Sequence, residues 1–251
     1  MKVECVPEAL TQMDEWLSEL AALLPCPVRN PLPEGDFNWR FPEESTSVLL
    51  VAKAVRICSA LGAAWELAKK GFATEAASLL RLVNDFSSEI TFMAESIFEG
   101  RETAAQTRFR EQFFRPLPRT VDDFLEREKE YYVSRREIAK AQKRLVVAAG
   151  FDGELLDTAA SFITFALDKY VHGSYSTSME LYHGGAKRFM VGGMDSGRVR
   201  KAAMGFLATK ATEAVQALEM VSLALGAHST GQAIRKFMKR CDPDAWGTRT
   251  V

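Results

Sequence analysis

An all-α fold, an antiparallel multi-helix bundle, is predicted by three features of the sequence. Apolar residues recur at steps of three and four through several long segments, Gly or Pro stands where those segments stop, and alternating strand patterns are nearly absent.

Residues 8–24 place Leu10, Met13, Leu17, Leu20 and Leu24 on one face of a first helix. Residues 25–42 then hold five of the nine prolines, Pro25, Pro27, Pro31, Pro33 and Pro42, each of which fixes φ and removes a backbone donor. The spacing predicts an extended connector, tacked onto the body by Phe37, Trp39 and Phe41. Residues 1–42 are thus read as an N-terminal helix and connector packed on a helical bundle of residues 43–251, within a single domain.

From Ser45 to Lys70 the polar residues Lys53, Arg56, Ser59, Gly62, Glu66 and Lys69 form a narrow stripe, which predicts a central helix buried on most sides. Lys53, Arg56 and Glu66 would be costly at membrane depth, so the segment reads as a core helix and no membrane partner is expected. After Gly71, Thr74 can cap a helix whose apolar face runs through Ala76, Leu79, Val83, Phe86, Ile90, Met93 and Ile97 to a stop at Gly100. These two helices should form an antiparallel hairpin. A shorter polar helix over 101–114 ends before Pro116 and Pro118.

Thr120 and Asp123 have capping-box spacing, and the sequence predicts one helix from there to Gly150. Its apolar pairs Phe124/Leu125, Tyr131/Tyr132, Ile138/Ala139 and Leu145/Val146 recur every seven residues, with Glu128, Arg135 and Gln142 between them. So narrow a seam suits a peripheral helix or one packed against another subunit. Asp152 can cap the next helix, which ends at Gly173; its apolar side is Leu155, Leu156, Ala159, Phe162, Ile163, Ala166 and Tyr170, opposite a stripe of Asp157, Ser161, Thr164, Asp168 and His172.

A short helix is expected from Thr177, paired with Glu180 in a capping box, followed by a glycine-rich loop at 184–197 with at most a small hairpin near 186–192. That loop is the expected mobile element. Arg198–Leu225 reads as a long amphipathic helix stopped by Gly226. Ser229 and Gln232 then open a last helix through Lys239, before a tail with Pro243 and Trp246.

Of 251 residues, 32 are basic and 33 acidic, a net charge of -1 that supplies no global field for nucleic acid. Nucleic acid is therefore an unsupported partner. Cys5, Cys26, Cys58 and Cys241 form no C-x-x-C pair and read as buried free thiols. With no basic segment followed by an apolar run at the start, the expected location is cytoplasmic. P-loop, H-E-x-x-H, G-x-S-x-G and zinc-deaminase patterns are missing, so no cofactor is predicted and the balance tilts away from an enzyme.

Chemistry is densest between Asp168 and His183, which includes His172, Ser174, Tyr175 and Glu180 and two of the three histidines. Asp168 and His172 are four apart on a helix, so the carboxylate could orient the imidazole as a general base; the same spacing also makes a plain surface pair. Glu180 and His183 share E-x-x-H spacing, the unit that ferritin-like di-iron proteins use twice. A metal set of His172, Glu180 and His183, or three histidines including His228, is the metal-dependent alternative. Arg81, Asp85 and Glu89 lie at steps of four, either as a solvated face or with Arg81 as an anion-binding group beside His172. Arg235, Lys236, Lys239 and Arg240 read as a solvated helix end.

The succession of long helices, the segment Leu79-Leu80-Arg81-Leu82-Val83-Asn84-Asp85 and the helix end Tyr170-Val171-His172-Gly173-Ser174 resemble HEPN-type helical proteins and related uncharacterised bacterial families, over residues 45–185. HEPN ribonucleases carry an arginine four to six residues before a histidine; no arginine occupies that window before His172, His183 or His228. The resemblance implies a diverged or non-catalytic interaction module, acting as a homodimer or through a protein partner, with His172 at the histidine position. An RNA-cleaving HEPN-like nuclease using Asp168 and His172 is its catalytic alternative.

Overall fold

A computed structural model of the chain describes residues 1–242 except 32–34, 117, 119, 129–131, 149, 151 and 195–196, and leaves aside the side chains of 123, 124, 145, 146, 148, 156 and 198. The described residues are mostly helical, with two small antiparallel strand pairs. The expected tail with Pro243 and Trp246, the Asp123 cap, and the apolar positions Phe124, Tyr131, Leu145, Val146 and Leu156 lie outside the described residues or side chains.

Helix α1 (Val6–Ala21) buries Val6, Ala9, Met13, Trp16 and Leu20, a spacing of three and four. Helix α2 (Thr46–Lys69) starts at Ser45, whose side chain accepts from the Val48 N–H. By length and composition α2 could cross a membrane. Here it is the core helix, with Leu49, Leu50, Ile57 and Leu61 fully buried. A turn at Gly71 (φ 85°) reverses the chain into α3 (Ala73–Phe98), which lies along α2 as the sequence predicts. Thr74 does not cap it: Phe72 holds that position, and the Thr74 hydroxyl donates to Glu75. Helix α4 (Ala104–Phe114) opens on a capping box between Thr103 and Gln106.

Between α1 and α2 the connector is a strand pair, β1 (Val28–Pro31) with β2 (Phe37–Arg40), in the register Val28 opposite Arg40 and Asn30 opposite Asn38. The sequence predicts at most one hairpin, near 186–192; this is a second. Trp39, 61% exposed, and Phe37 do not tack it onto the body. They stack edge-to-face on each other, with the Arg29 guanidinium 4.4 Å from the Phe37 ring centre.

The predicted single helix over 120–150 is two helices, α5 (Val121–Glu128) and α6 (Arg135–Ala148). Ser134 and Glu137 explain the restart: the Ser134 N–H donates to Glu137 and the Glu137 N–H to the Ser134 hydroxyl, a capping box in mid-segment. Helix α7 (Gly153–Val171) is capped by Asp152, which accepts from the N–H groups of Glu154 and Leu155. Its end is a Schellman turn, with the Gly173 N–H on the Tyr170 carbonyl and the Ser174 N–H on the Lys169 carbonyl.

Helix α8 (Tyr175–Met179) begins two residues before Thr177 and is capped by Ser174; the Thr177 side chain is buried, its hydroxyl 3.0 Å from the Lys169 carbonyl of α7. The second strand pair, β3 (Tyr182–His183) with β4 (Arg188–Phe189), overlaps the predicted hairpin. Helix α9 (Gly197–Ala224) packs against α1, α2 and α3, and α10 (His228–Cys241) packs on α9. Ala227, with no side-chain cap, precedes α10; Ser229 lies inside the helix and does not open it.

One further expectation is corrected. Cys26 is exposed, so not all the thiols are buried, whereas Cys241 is buried and burial pushes the Cys58 thiol up to about 12. Met194, 7% exposed, donates its N–H to the Gly71 carbonyl at 2.9 Å.

Candidate functional site

Helix α7 faces the opposite way from a simple amphipathic reading. Thr164 and Asp168 of its polar stripe turn toward α3, while Leu155, Phe162 and Phe165 are 70%, 71% and 60% exposed. Ile163 and Leu167 flank the inward stripe and pack on the core. The reason lies on α3, which presents buried polar groups that only a polar neighbour can satisfy.

Arg81 is the chief of these, at 3% exposure. Its Nε donates to Asp168 Oδ1 at 2.7 Å and its Nη1 to Asp85, one turn along α3. Arg135, the first residue of α6, reaches Asp85 Oδ2 at 3.1 Å and stands 3.9 Å from Asp168 Oδ1. Two arginines and two aspartates from three helices thus form one nearly neutral cluster. Arg81 Nη2 is buried and has no partner. The alternative of a solvated Arg81–Asp85–Glu89 face does not describe this arrangement.

Lys210 on α9 continues the polar lining. It is fully buried, and its Nζ donates to Asn84 Oδ1 at 2.6 Å and to Glu213. Asn84 in turn donates from Nδ2 to Thr164 of α7 at 3.4 Å, so one amide links α9, α3 and α7. Glu89 pairs with Lys53 of α2, with 2.6 Å between Nζ and Oε2 in a geometry that is not a hydrogen bond.

Arg81, Asn84, Asp85, Glu89, Arg135, Thr164, Lys210 and Glu213 line a cleft of about 1780 Å³ walled by α3, α6, α7, α9 and α10. Ser87, Ser161 and Gln216 add hydroxyl and amide groups, and the Ser87 Oγ is buried without a partner. At the far end Arg235 pairs with Glu219 beside Lys239, so part of the basic cluster on α10 faces the cleft and is not wholly a solvated helix end. Arg144 forks onto Glu95 at 2.9 and 2.8 Å, holding α6 over α3, and the hydrogen bond to Glu95 raises the arginine pKa further.

The structure brings together Arg81, Asp85 and Asp168 and leaves the remaining predicted residues apart. His172 is the exposed C-cap of α7, and Asp168 turns to Arg81 instead of to it. Ser174 caps α8 and Tyr175 is 82% exposed. Glu180 accepts from the Tyr170 hydroxyl at 3.3 Å; burial foremost, then the Glu180 charge, raises the phenol pKa. The exposed His183 accepts the Ala186 N–H at its Nδ1, closing the turn of the small hairpin. Among the described residues no group of three His, Cys, Asp or Glu side chains could hold a metal ion, so His172, Glu180 and His183 do not form a metal set, nor do the three histidines.

Lys210, Glu213, Asn84, Thr164 and Arg135 are site residues that the sequence reading does not select. Lys210 carries a usable signal: it occupies the apolar register of α9 between Leu207 and Ala214, where a solvated lysine has no place. Compared with known proteins, the chain matches no family model, and no curated protein or solved structure matches it significantly.

Proposed function

We propose that this chain is a helical binding protein that takes a small anionic molecule, a carboxylate or a phosphate, into the cleft between α3, α6, α7 and α9. The observation that carries this reading is the Arg81 guanidinium, buried in the lining of the cleft and held by two aspartates, with Nη2 left without a hydrogen-bond partner. An unmade hydrogen bond at a buried donor costs about 1–3 kcal/mol, which an oxygen acceptor on a ligand would recover. Because Arg81 and Arg135 balance Asp85 and Asp168, the cluster sets no net negative charge against an incoming anion.

Within the HEPN-like resemblance, this describes a diverged member that binds instead of cleaving. Asp168, the carboxylate a general-base His172 would need, is engaged by Arg81, and His172 stands at an exposed helix end. Calorimetric titration of small carboxylates and phosphates into the wild type and Arg81→Lys tests the proposal. At least one compound should bind with one-to-one stoichiometry and lose affinity in Arg81→Lys, which keeps the charge and removes the guanidinium fork. Binding to neither protein, or equal binding to both, contradicts it.

A further inference from the structure

The cleft is far larger than an anionic head group needs. A drug-sized molecule fills about 300–1,000 Å³, whereas this cleft holds about 1780 Å³. Its buried cations, Arg81 and Lys210, sit at one end. Asp168 meets Arg81 and Thr164 meets Asn84, so α7 runs antiparallel to α3; Met194 meets Gly71 and Lys210 meets Asn84, so α9 runs parallel to it. Away from Arg81 and Lys210 the walls therefore continue through Ala160 of α7 and through Ala217, Met220 and Leu223 of α9. Leu223 stands thirteen residues after Lys210, about 20 Å along a helix that rises about 1.5 Å per residue.

The hydroxyl groups along those walls are satisfied within their own helices. Ser88, Thr91, Thr209 and Thr212 each donate to the carbonyl four residues earlier, which leaves no hydroxyl proton for a ligand. Glu219 is held by Arg235 and Glu213 by Lys210, while Asp157, Ser161 and Gln216 are exposed to water. The buried donors without a partner among the described residues are Arg81 Nη2 and Ser87 Oγ, both on α3. A ligand therefore finds hydrogen bonds on the α3 wall and mainly carbon along the rest of its path. The charges at the Arg81 end select the head group. Arg81, Arg135 and Lys210 are balanced by Asp85, Asp168 and Glu213, so a singly charged anion is tolerated better than a doubly charged one.

Given the anion-binding reading of the cleft, on which this inference rests, we propose that the ligand is an unbranched aliphatic monocarboxylate. Its carboxylate accepts from Arg81 Nη2, and its hydrocarbon chain lies along Ala160, Ile163, Ala217 and Met220. Burial of the chain supplies most of the affinity, and the guanidinium fixes which end of the molecule enters first.

Calorimetric titration of the full chain with acetate, butanoate, hexanoate and octanoate, each below its micelle concentration, tests this. Octanol and octyl phosphate serve as comparisons. Each added methylene should tighten binding about two- to fourfold, the range for a chain partly to fully withdrawn from water. Octanoate should bind at least about tenfold more tightly than octanol, which brings no charge to Arg81, and more tightly than octyl phosphate. Ala160→Trp, at an exposed position, narrows the path, and Met220→Gln makes it polar; each should weaken octanoate at least about fivefold with an unchanged circular dichroism spectrum. Octanoate affinity indifferent to both folded variants overturns the proposed path. Equal affinity along the series, still lost in Arg81→Lys, overturns the inference and leaves the anion-binding reading in place, as does tighter binding of octyl phosphate than of octanoate. Octanol that matches octanoate, or no binding by any member of the series, overturns both.

Discussion

Arg81 Nε donates to Asp168 Oδ1 at 2.7 Å, joining α3 to α7 across 87 residues of chain. This contact turns Asp168 and, one turn before it, Thr164 of α7 toward α3, and leaves the phenyl rings of Phe162 and Phe165 on the outer side of the helix.

Replacing Arg81 with Gln should lower unfolding stability by about 2 kcal/mol, since Asp85 and Asp168 lose their buried counter-charge while remaining partly shielded from water. Urea denaturation measures it. Arg135→Gln, at a side chain 66% exposed, should change stability by less than about 0.5 kcal/mol. Equal losses in the two variants would remove Arg81 from the centre of the cluster.

Lys210 and Glu213 should respond unequally. Glu213→Gln leaves a fully buried ammonium without its counter-charge and should cost about 3 kcal/mol, whereas Lys210→Met frees Glu213, 30% exposed, to hydrate and should cost less. Chemical denaturation of both variants and the double variant yields the coupling between them.

Gly193 adopts φ 94°, and a Cβ there would stand 2.8 Å from the Lys70 carbonyl oxygen. Gly193→Ala should therefore cost about 1–2 kcal/mol from the left-handed backbone alone and detach the Met194 anchor from Gly71. Faster amide exchange at Met194, beside an unchanged rate in the core of α2, is the expected signature.

The helices were largely legible in the sequence because each buried face repeats at three or four residues and several stops carry glycine, as at Gly71, Gly173 and Gly226. The restart at Ser134 is not legible, because seven-residue apolar spacing runs straight across it. The outward turn of Phe162 was not legible either, since it depends on a partner for Arg81 that only tertiary packing chooses. His172 and His183 are candidates by residue type alone, whereas a helix C-cap and a hairpin turn account for their positions.

Burial raises the Cys58 thiol to about 12 from an ordinary value of 9.0. A raised folded-state pKa favours the protonated thiol in the native chain, so its stabilising share is complete below pH 9.0 and declines as pH rises from there toward about 12. Stability profiles over this alkaline range should show a shallower fall in Cys58→Ala. At pH 8 iodoacetamide should modify the exposed Cys26 well before Cys58 or the buried Cys241.

The most direct measurement is a nitrogen-15 amide titration with the anionic ligand that calorimetry selects. The largest shifts should fall together on residues 81–89 of α3, 157–168 of α7 and 209–216 of α9, the three walls that meet at Arg81 and Lys210. Shifts centred on His172 to His183, with those three walls unmoved, would contradict the assignment of the cleft as the binding site.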